Sequence, residues 1–384
     1  MSHRRQILKA IGCLSLLPVI GRSAERGGAI GAEDPRVASF VQETGFNGVV
    51  LMGQAGARRY ARAFGRAFIE EARPATLGTR YAIASISKWL TAVAVMRLVE
   101  QGRLALDQPI GRYLSGYRPD TAGRLTLRHL LSNTSGVPND FIAAVKADPQ
   151  VLQLDLTTEQ ALHRFCEGDL AFEPGSRFDY ALTNWIIVTA IVEAVTGRPF
   201  QQVMREVVLS PLEMHATGAE ADIDKEPETA ASYRSVEPPV PWPNARRPYL
   251  AASGGYFSTA DDLLVAAHRV FDSGFLGADA LSELTKVQDA SEAYALGGRV
   301  RMMDRDGHTL RVAWETGNTA GYRSLLAHCL DDQTTIVLLN NTGLRQSVLN
   351  EFAEQLLIAP SPRAQARDRP AARVVERPLP ATRA

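Results

Sequence analysis

Two short segments open the readable pattern, at residues 46–53 (F-N-G-V-V-L-M-G), mostly apolar, and 58–65 (R-R-Y-A-R-A-F-G), where apolar residues mix with arginines. The connection between them, Q-A-G-A, is short and carries a glycine, so the pair predicts two strands in a hairpin. Residues 85–101 follow a helical pattern that Gly102 closes. From residue 104 to about residue 250 the chain reads as helices joined by loops rich in proline and glycine. One of these, at 184–196, is mostly apolar, with Gly197 and Pro199 as stop signals and Asn184 reading as its cap. The segment V-E-P-P-V-P-W-P-N-A-R-R-P at 236–248 predicts an extended loop. Four further strands are predicted at 298–303, 309–315, 323–330 and 334–340, and a closing helix at 351–358. Strands at both ends with helices between predict an α+β fold. Its antiparallel sheet, assembled from both ends of the chain, is flanked by helices and interrupted by an inserted helical region. The expected division is a sheet domain from 25–105 and 250–358, and a helical domain from 106–249. The last residues, 359–384, are dominated by Pro, Arg and Ala with no apolar period, and read as a disordered tail.

Composition narrows the function classes. With 45% hydrophobic and 22% charged residues among 384, the chain is of ordinary globular type. Lys+Arg and Asp+Glu both number 42, so no basic surplus exists to neutralise phosphates, and a nucleic-acid partner is not expected. The first 24 residues combine a charged start, an apolar run from Ala10 to Ile20, and small residues at Ser23 and Ala24. That is the layout of a secretory signal, too short for a permanent membrane anchor, so no stable membrane insertion is expected once it is removed. Arg4-Arg5 followed by Gln6-Ile7-Leu8-Lys9 fits the twin-arginine type and predicts export to the periplasm or beyond. The apolar run continues past Cys13, which argues against a lipoprotein cysteine there. Cys166 and Cys329 fall in different predicted domains and are expected as unpaired thiols.

The sequence contains no G-x-S-x-G elbow, no H-E-x-x-H and no G-x-G dinucleotide loop, and its seven histidines lack metal-ligand spacing. What remains is S-I-S-K, Ser85 to Lys88, at the start of a helix whose other residues are strongly apolar. A spacing of three puts both side chains on one helix face. In the first turn, unpaired backbone N–H groups and the helix dipole favour developing negative charge. A serine becomes a useful nucleophile only when a neighbour takes its proton, and a lysine enclosed by apolar side chains is suited to that. The same spacing also fits a capping serine and a lysine whose head reaches water.

The surrounding sequence separates the two. The run Y-A-I-A-S-I-S-K-W-L-T-A-V-A-V-M-R-L-V-E-Q-G-R-L-A-L-D-Q-P-I, followed by L-T-L-R-H-L-L-S-N-T-S-G-V-P and later A-A-S-G-G-Y-F-S-T-A-D-D-L, resembles the serine β-lactamase and penicillin-binding protein superfamily. The likeness is to the branch with class C β-lactamases, D-Ala-D-Ala carboxypeptidases, D-aminopeptidases and related esterases, and runs from about residue 46 to residue 358. It implies a β-lactamase/transpeptidase-like fold and an acyl-enzyme hydrolase needing no metal or cofactor. By resemblance, Ser85 is the nucleophile, and Lys88 and Tyr180 share its proton. Tyr180 stands in the family's Y-x-N motif, but the asparagine position holds Leu182, which cannot hydrogen-bond. The third motif, K-T-G or H-T-G, appears as E-T-G: Glu315, Thr316 and Gly317. The resemblance also implies an oxyanion hole from the N–H groups of Ser85 and Asn318.

Glu315 in place of a cation is expected to repel substrate carboxylates. That favours neutral or amine-bearing esters and amides, unless Glu315 turns away or pairs with an arginine such as Arg323. The expected partner is therefore a small-molecule or peptide-like substrate. Two other roles remain open: a catalytically weak homologue that binds cell-wall fragments, and an acyltransferase using the same acyl-enzyme.

Overall fold

The predicted hairpin is strands β1 (Gly48–Gln54) and β2 (Ala57–Phe64), joined through Ala55 and Gly56, both at positive φ. That backbone hand matches the twist of the flanking strands. The computed structural model in which it is seen describes residues 31–220, 228–244 and 247–358. The predicted signal segment and C-terminal tail lie outside the described residues.

Four late strands complete the main sheet: β3 (Arg299–Arg305), β4 (His308–Thr319), β5 (Tyr322–Cys329) and β6 (Thr334–Asn340). Their order is β3-β4-β5-β6-β1-β2, every pair antiparallel, so the first strands of the chain dock beside its last. Both faces are covered, which is why β1 reads as apolar at successive positions rather than alternately. On one face, Val49, Leu51, Leu326 and Val337 join the core around α2 (Ile86–Glu100) and α3 (Thr183–Thr196). On the other, Val50, Leu325 and Leu338 meet α1 (Pro35–Thr44) and the closing helix α5 (Gln346–Ile358), where Phe40 stacks on Phe352. Along the chain α4 (Ala260–Phe271) comes between α3 and α5, and it packs into the core on the first face. A single apolar cluster runs from the sheet into the helical region, so the two share one core.

Three features differ from the sequence expectation. Strand β4 continues to Thr319 because β5 pairs with it from Val312 opposite Cys329 down to Thr319 opposite Tyr322. The reversal falls at Ala320 (φ +40) and Gly321, not in the T-G-N-T run whose composition suggests a turn. The closing helix begins at Gln346 rather than five residues later. The proline-rich stretch at 236–248, expected as loop throughout, supplies Pro239–Pro241 to a short antiparallel pair with Tyr233–Val236, where prolines are tolerated because the pair is only two strands wide. A small three-stranded sheet links Tyr81–Ala82, Tyr256–Ser258 and Gly218–Ala219, tying together segments from three parts of the chain just before residue 85.

Candidate active site

Ser85 is the N-cap of α2, immediately ahead of its first turn, and its side chain makes no capping bond. The hydroxyl is therefore available to other partners. Ala84 before it holds a left-handed φ of +46°, a conformation costly for a residue with a Cβ. That turn is held from both sides: Ile83 N–H donates to Tyr256 O at 2.9 Å, and Ile83 O accepts from Ser324 Oγ at 2.9 Å.

Gly317 makes the second contact possible. A Cβ there would lie 2.1 Å from Ser324 Oγ and 2.2 Å from Ile83 O, so β4 can approach the Ser85 turn only with glycine at this position.

Two donors converge on Ser85 Oγ. Lys88 Nζ donates at 3.0 Å and Tyr180 Oη at 2.8 Å. Lys88 is only 1% exposed, as expected for a lysine inside a helix that is apolar all round. Its ammonium is compensated by Ser253 O, which also accepts from it, and by the faces of Tyr180 and Trp185 at 4.9 and 5.6 Å. Leu182, at the family's asparagine position, packs against the apolar core, and the carbonyl of Ser253 serves as a polar partner of the lysine.

Asn184 is not a cap. Helix α3 starts at Thr183 with Leu182 as N-cap, and the Asn184 side chain is buried, accepting from Ser135 Oγ at 2.6 Å and donating to Asn133 Oδ1 at 3.1 Å. Asn133, itself buried and at φ +56°, also receives Asp179 N–H on its carbonyl and Ala181 N–H on its side chain. It therefore brackets Tyr180 from both sides along the backbone.

The remaining wall is the free part of β4. Pairing with β3 ends at Trp314 opposite Arg299, so beyond it residues 315–319 are strand-paired with β5 alone among the described residues. This edge, with Ser85, Lys88, Tyr180, Tyr294 and Arg299, lines a cleft of about 500 Å³. Thr316, Asn318 and Glu315 are all among its lining residues. Of the predicted site residues, Gly317 alone is a packing contact behind the wall.

Glu315 differs from its expected role. The residue is 6% exposed, and its carboxyl lies over Gly298 and accepts the backbone N–H of Arg299. Burial holds it well above the ordinary carboxylate range; the charges of Arg299 and Lys88 oppose that shift without cancelling it. Burial thus disfavours the charged form of Glu315 and weakens the like-charge repulsion expected of it. Arg323 is not its partner either, since it lies opposite Asn318 and donates to Ala320 O and Tyr322 O.

Sequence reasoning missed Tyr294 and Arg299, which carry no local motif, and the carbonyl of Ser253, although A-A-S-G-G-Y was part of the family likeness. Cys166 and Cys329 are both free. Among the described residues no group of His, Cys, Asp and Glu is placed to hold a metal ion, and no helix is long and apolar enough to cross a membrane.

Comparison with known proteins bears on the family and the fold. Esterase EstB of Burkholderia gladioli is 30% identical over 261 residues, 59% of this chain and 66% of the esterase; the match thus spans just under two thirds of that relative. A penicillin binding protein from Bacillus halodurans superposes with a TM-score of 0.71 at 24% identity, over 85% of this chain and 100% of that one. D-amino acid amidase from Ochrobactrum anthropi SV3, complexed with L-phenylalanine, gives 0.69 at 21% identity, over 87% and 96%. The two structural likenesses establish the β-lactamase/transpeptidase fold. The family model described as Beta-lactamase matches residues 34–359, most of the sequence, and the chain belongs to that family.

Proposed function

We propose that the protein is a serine hydrolase that cleaves small esters or amides through an acyl-enzyme on Ser85. The observation that carries this reading is the convergence of Lys88 Nζ and Tyr180 Oη on Ser85 Oγ, at 3.0 and 2.8 Å, inside an open cleft. Ser85 Oγ attacks the substrate carbonyl while its proton passes to whichever of Lys88 and Tyr180 is deprotonated in the reactive state, as amine or phenolate. The carbonyl oxygen takes up negative charge at the start of α2, beside the free edge of β4, with the N–H groups of Ser85 and Asn318 as its donors. Collapse expels the alcohol or amine, which leaves with a proton from the same pair. Water then attacks the ester, releasing the acid and restoring the Ser85 hydroxyl.

An esterase and a D-amino acid amidase among the relatives support the choice of bond. Export belongs to the same proposal and is supported by the R-R-Q-I-L-K start of the chain.

Replacing Ser85 by Ala tests the mechanism. The variant is expected to lose both turnover of p-nitrophenyl acetate and covalent labelling by a fluorophosphonate, with unchanged circular dichroism. Turnover retained by the folded variant would end the proposal. Adding a primary alcohol to the wild-type assay distinguishes hydrolysis from acyl transfer, because only the latter yields the new ester in preference to acid.

A further inference from the structure

We propose that Asn244 is a positioning residue for the oxyanion site. With Glu220 it forms a strut that fixes the free end of β4, and hence the N–H of Asn318, relative to Ser85. This deepens the serine-hydrolase reading and rests on it.

Residues 315–319 are strand-paired on one side only among the described residues, so this stretch needs other supports to hold a fixed place beside Ser85. Asn318 lies between two of them. On one side of it, Gly317 packs against the Ile83 carbonyl, closely enough to leave no room for a Cβ. On the other, Thr319 Oγ1 donates to Asn244 Oδ1 at 2.9 Å. Asn244 Nδ2 in turn donates to Glu220 Oε2 at 2.7 Å. Asn244 lies outside any helix or strand, and its amide is suited to the place because it offers an acceptor to one neighbour and a donor to the other.

The far end of the strut is firm. Glu220 is buried, and its N–H donates to Gly255 O at 2.8 Å. The residue before it, Ala219, pairs with Tyr256 in the small three-stranded sheet. Tyr256 is also the residue whose carbonyl accepts Ile83 N–H, just ahead of Ser85. Both proposed oxyanion donors are therefore referred to one frame: Ser85 through Ile83, and Asn318 through Thr319, Asn244 and Glu220. Breaking the second path changes the gap between the two donors without touching Ser85, Lys88 or Tyr180.

The test measures kcat/KM for p-nitrophenyl acetate together with the inhibition constant of phenylboronic acid, which adds to Ser85 Oγ as a tetrahedral boronate and mimics the transition state. An inhibition constant does not depend on the fraction of protein folded, so a merely structural loss leaves it in place. Thr319→Val removes the hydroxyl at nearly constant volume. It should lower kcat/KM by about tenfold to about a hundredfold and weaken the boronate by a similar factor. Thr319→Ser, which keeps the hydroxyl, should restore most of both. Asn244→Ala should match Thr319→Val, and the double variant should be no worse than either single one, because both break one path. A boronate constant unchanged in Thr319→Val, or losses that multiply in the double variant, overturns the proposal. Failure of the Ser85 mechanism is read separately, from p-nitrophenyl acetate turnover surviving in Ser85→Ala.

Discussion

Gly317→Ala places one methyl group where β4 meets the turn that carries the nucleophile. The added Cβ would start 2.2 Å from the Ile83 carbonyl oxygen and 2.1 Å from Ser324 Oγ. Real Cβ atoms essentially never come closer than 3.0 Å, so strand and turn must separate by about 0.8 Å at least, and the Ile83 oxygen is backbone that cannot rotate away. Overpacking of this kind costs about 1–3 kcal/mol. Because Ile83 is two residues from Ser85, the same movement shifts the nucleophile against Tyr180 and the β4 edge; a displacement near 1 Å lowers turnover about a hundredfold. The assays are urea unfolding and steady-state hydrolysis of p-nitrophenyl acetate. Adding Ser324→Ala to Gly317→Ala removes the softer contact only, and little activity should return. Wild-type kcat in the single variant, or full recovery in the double, would refute the view that the Ile83 carbonyl sets the position of Ser85.

Other substitutions probe separate parts of the site. Tyr180→Phe keeps the ring beside Lys88 but removes the 2.8 Å bond to Ser85 Oγ; kcat should fall by about 10²–10⁴ with the unfolding midpoint nearly unchanged. Asn133→Ala leaves Ala181 N–H and the buried Asn184 amide without their shared acceptor, and should cost about 1–3 kcal/mol in urea unfolding. Glu315→Gln addresses the buried acid. Since folding raises this carboxyl above its unfolded value, mainly by burial, its contribution is complete below pH ~4.5 and is lost as pH rises through the folded value. Stability of the Gln variant relative to wild type should therefore increase from acid to neutral pH. A flat difference across unfolding curves at several pH values would mean the carboxyl is ionised. Replacing Arg4-Arg5 by Lys-Lys should leave the protein in the cytoplasmic fraction of an expressing bacterium.

The main sheet was legible because β1 is a short apolar run joined to β2 by a glycine-bearing connection, and further short strand-like segments recur near the end of the chain. The nucleophile and its lysine were legible because both lie within one turn of one helix. What escaped is long-range. The Ser253 carbonyl reaches Lys88 from 165 residues away, and no side chain announces it. Arg299 gains meaning only from the register that sets it opposite Trp314. Asn184 looks like a cap from its neighbours, yet its partners Ser135 and Asn133 lie about 50 residues earlier. Glu315 was read for its charge, whereas its burial, a property of the folded state, governs its protonation.

The supports of Ser85 have a consequence for synthesis. Its turn is fastened to Tyr256 and to Ser324, the latter 241 residues after Ile83, while Tyr180 and Ser253 complete the cluster from between. As the chain grows, the serine leaves the ribosome early but stays an ordinary hydroxyl until β4 and β5 have been made and have closed against it. Chemical competence is thus among the last properties the molecule acquires, and a nascent or truncated chain that stops short of β5 carries S-I-S-K without the neighbours that make it reactive.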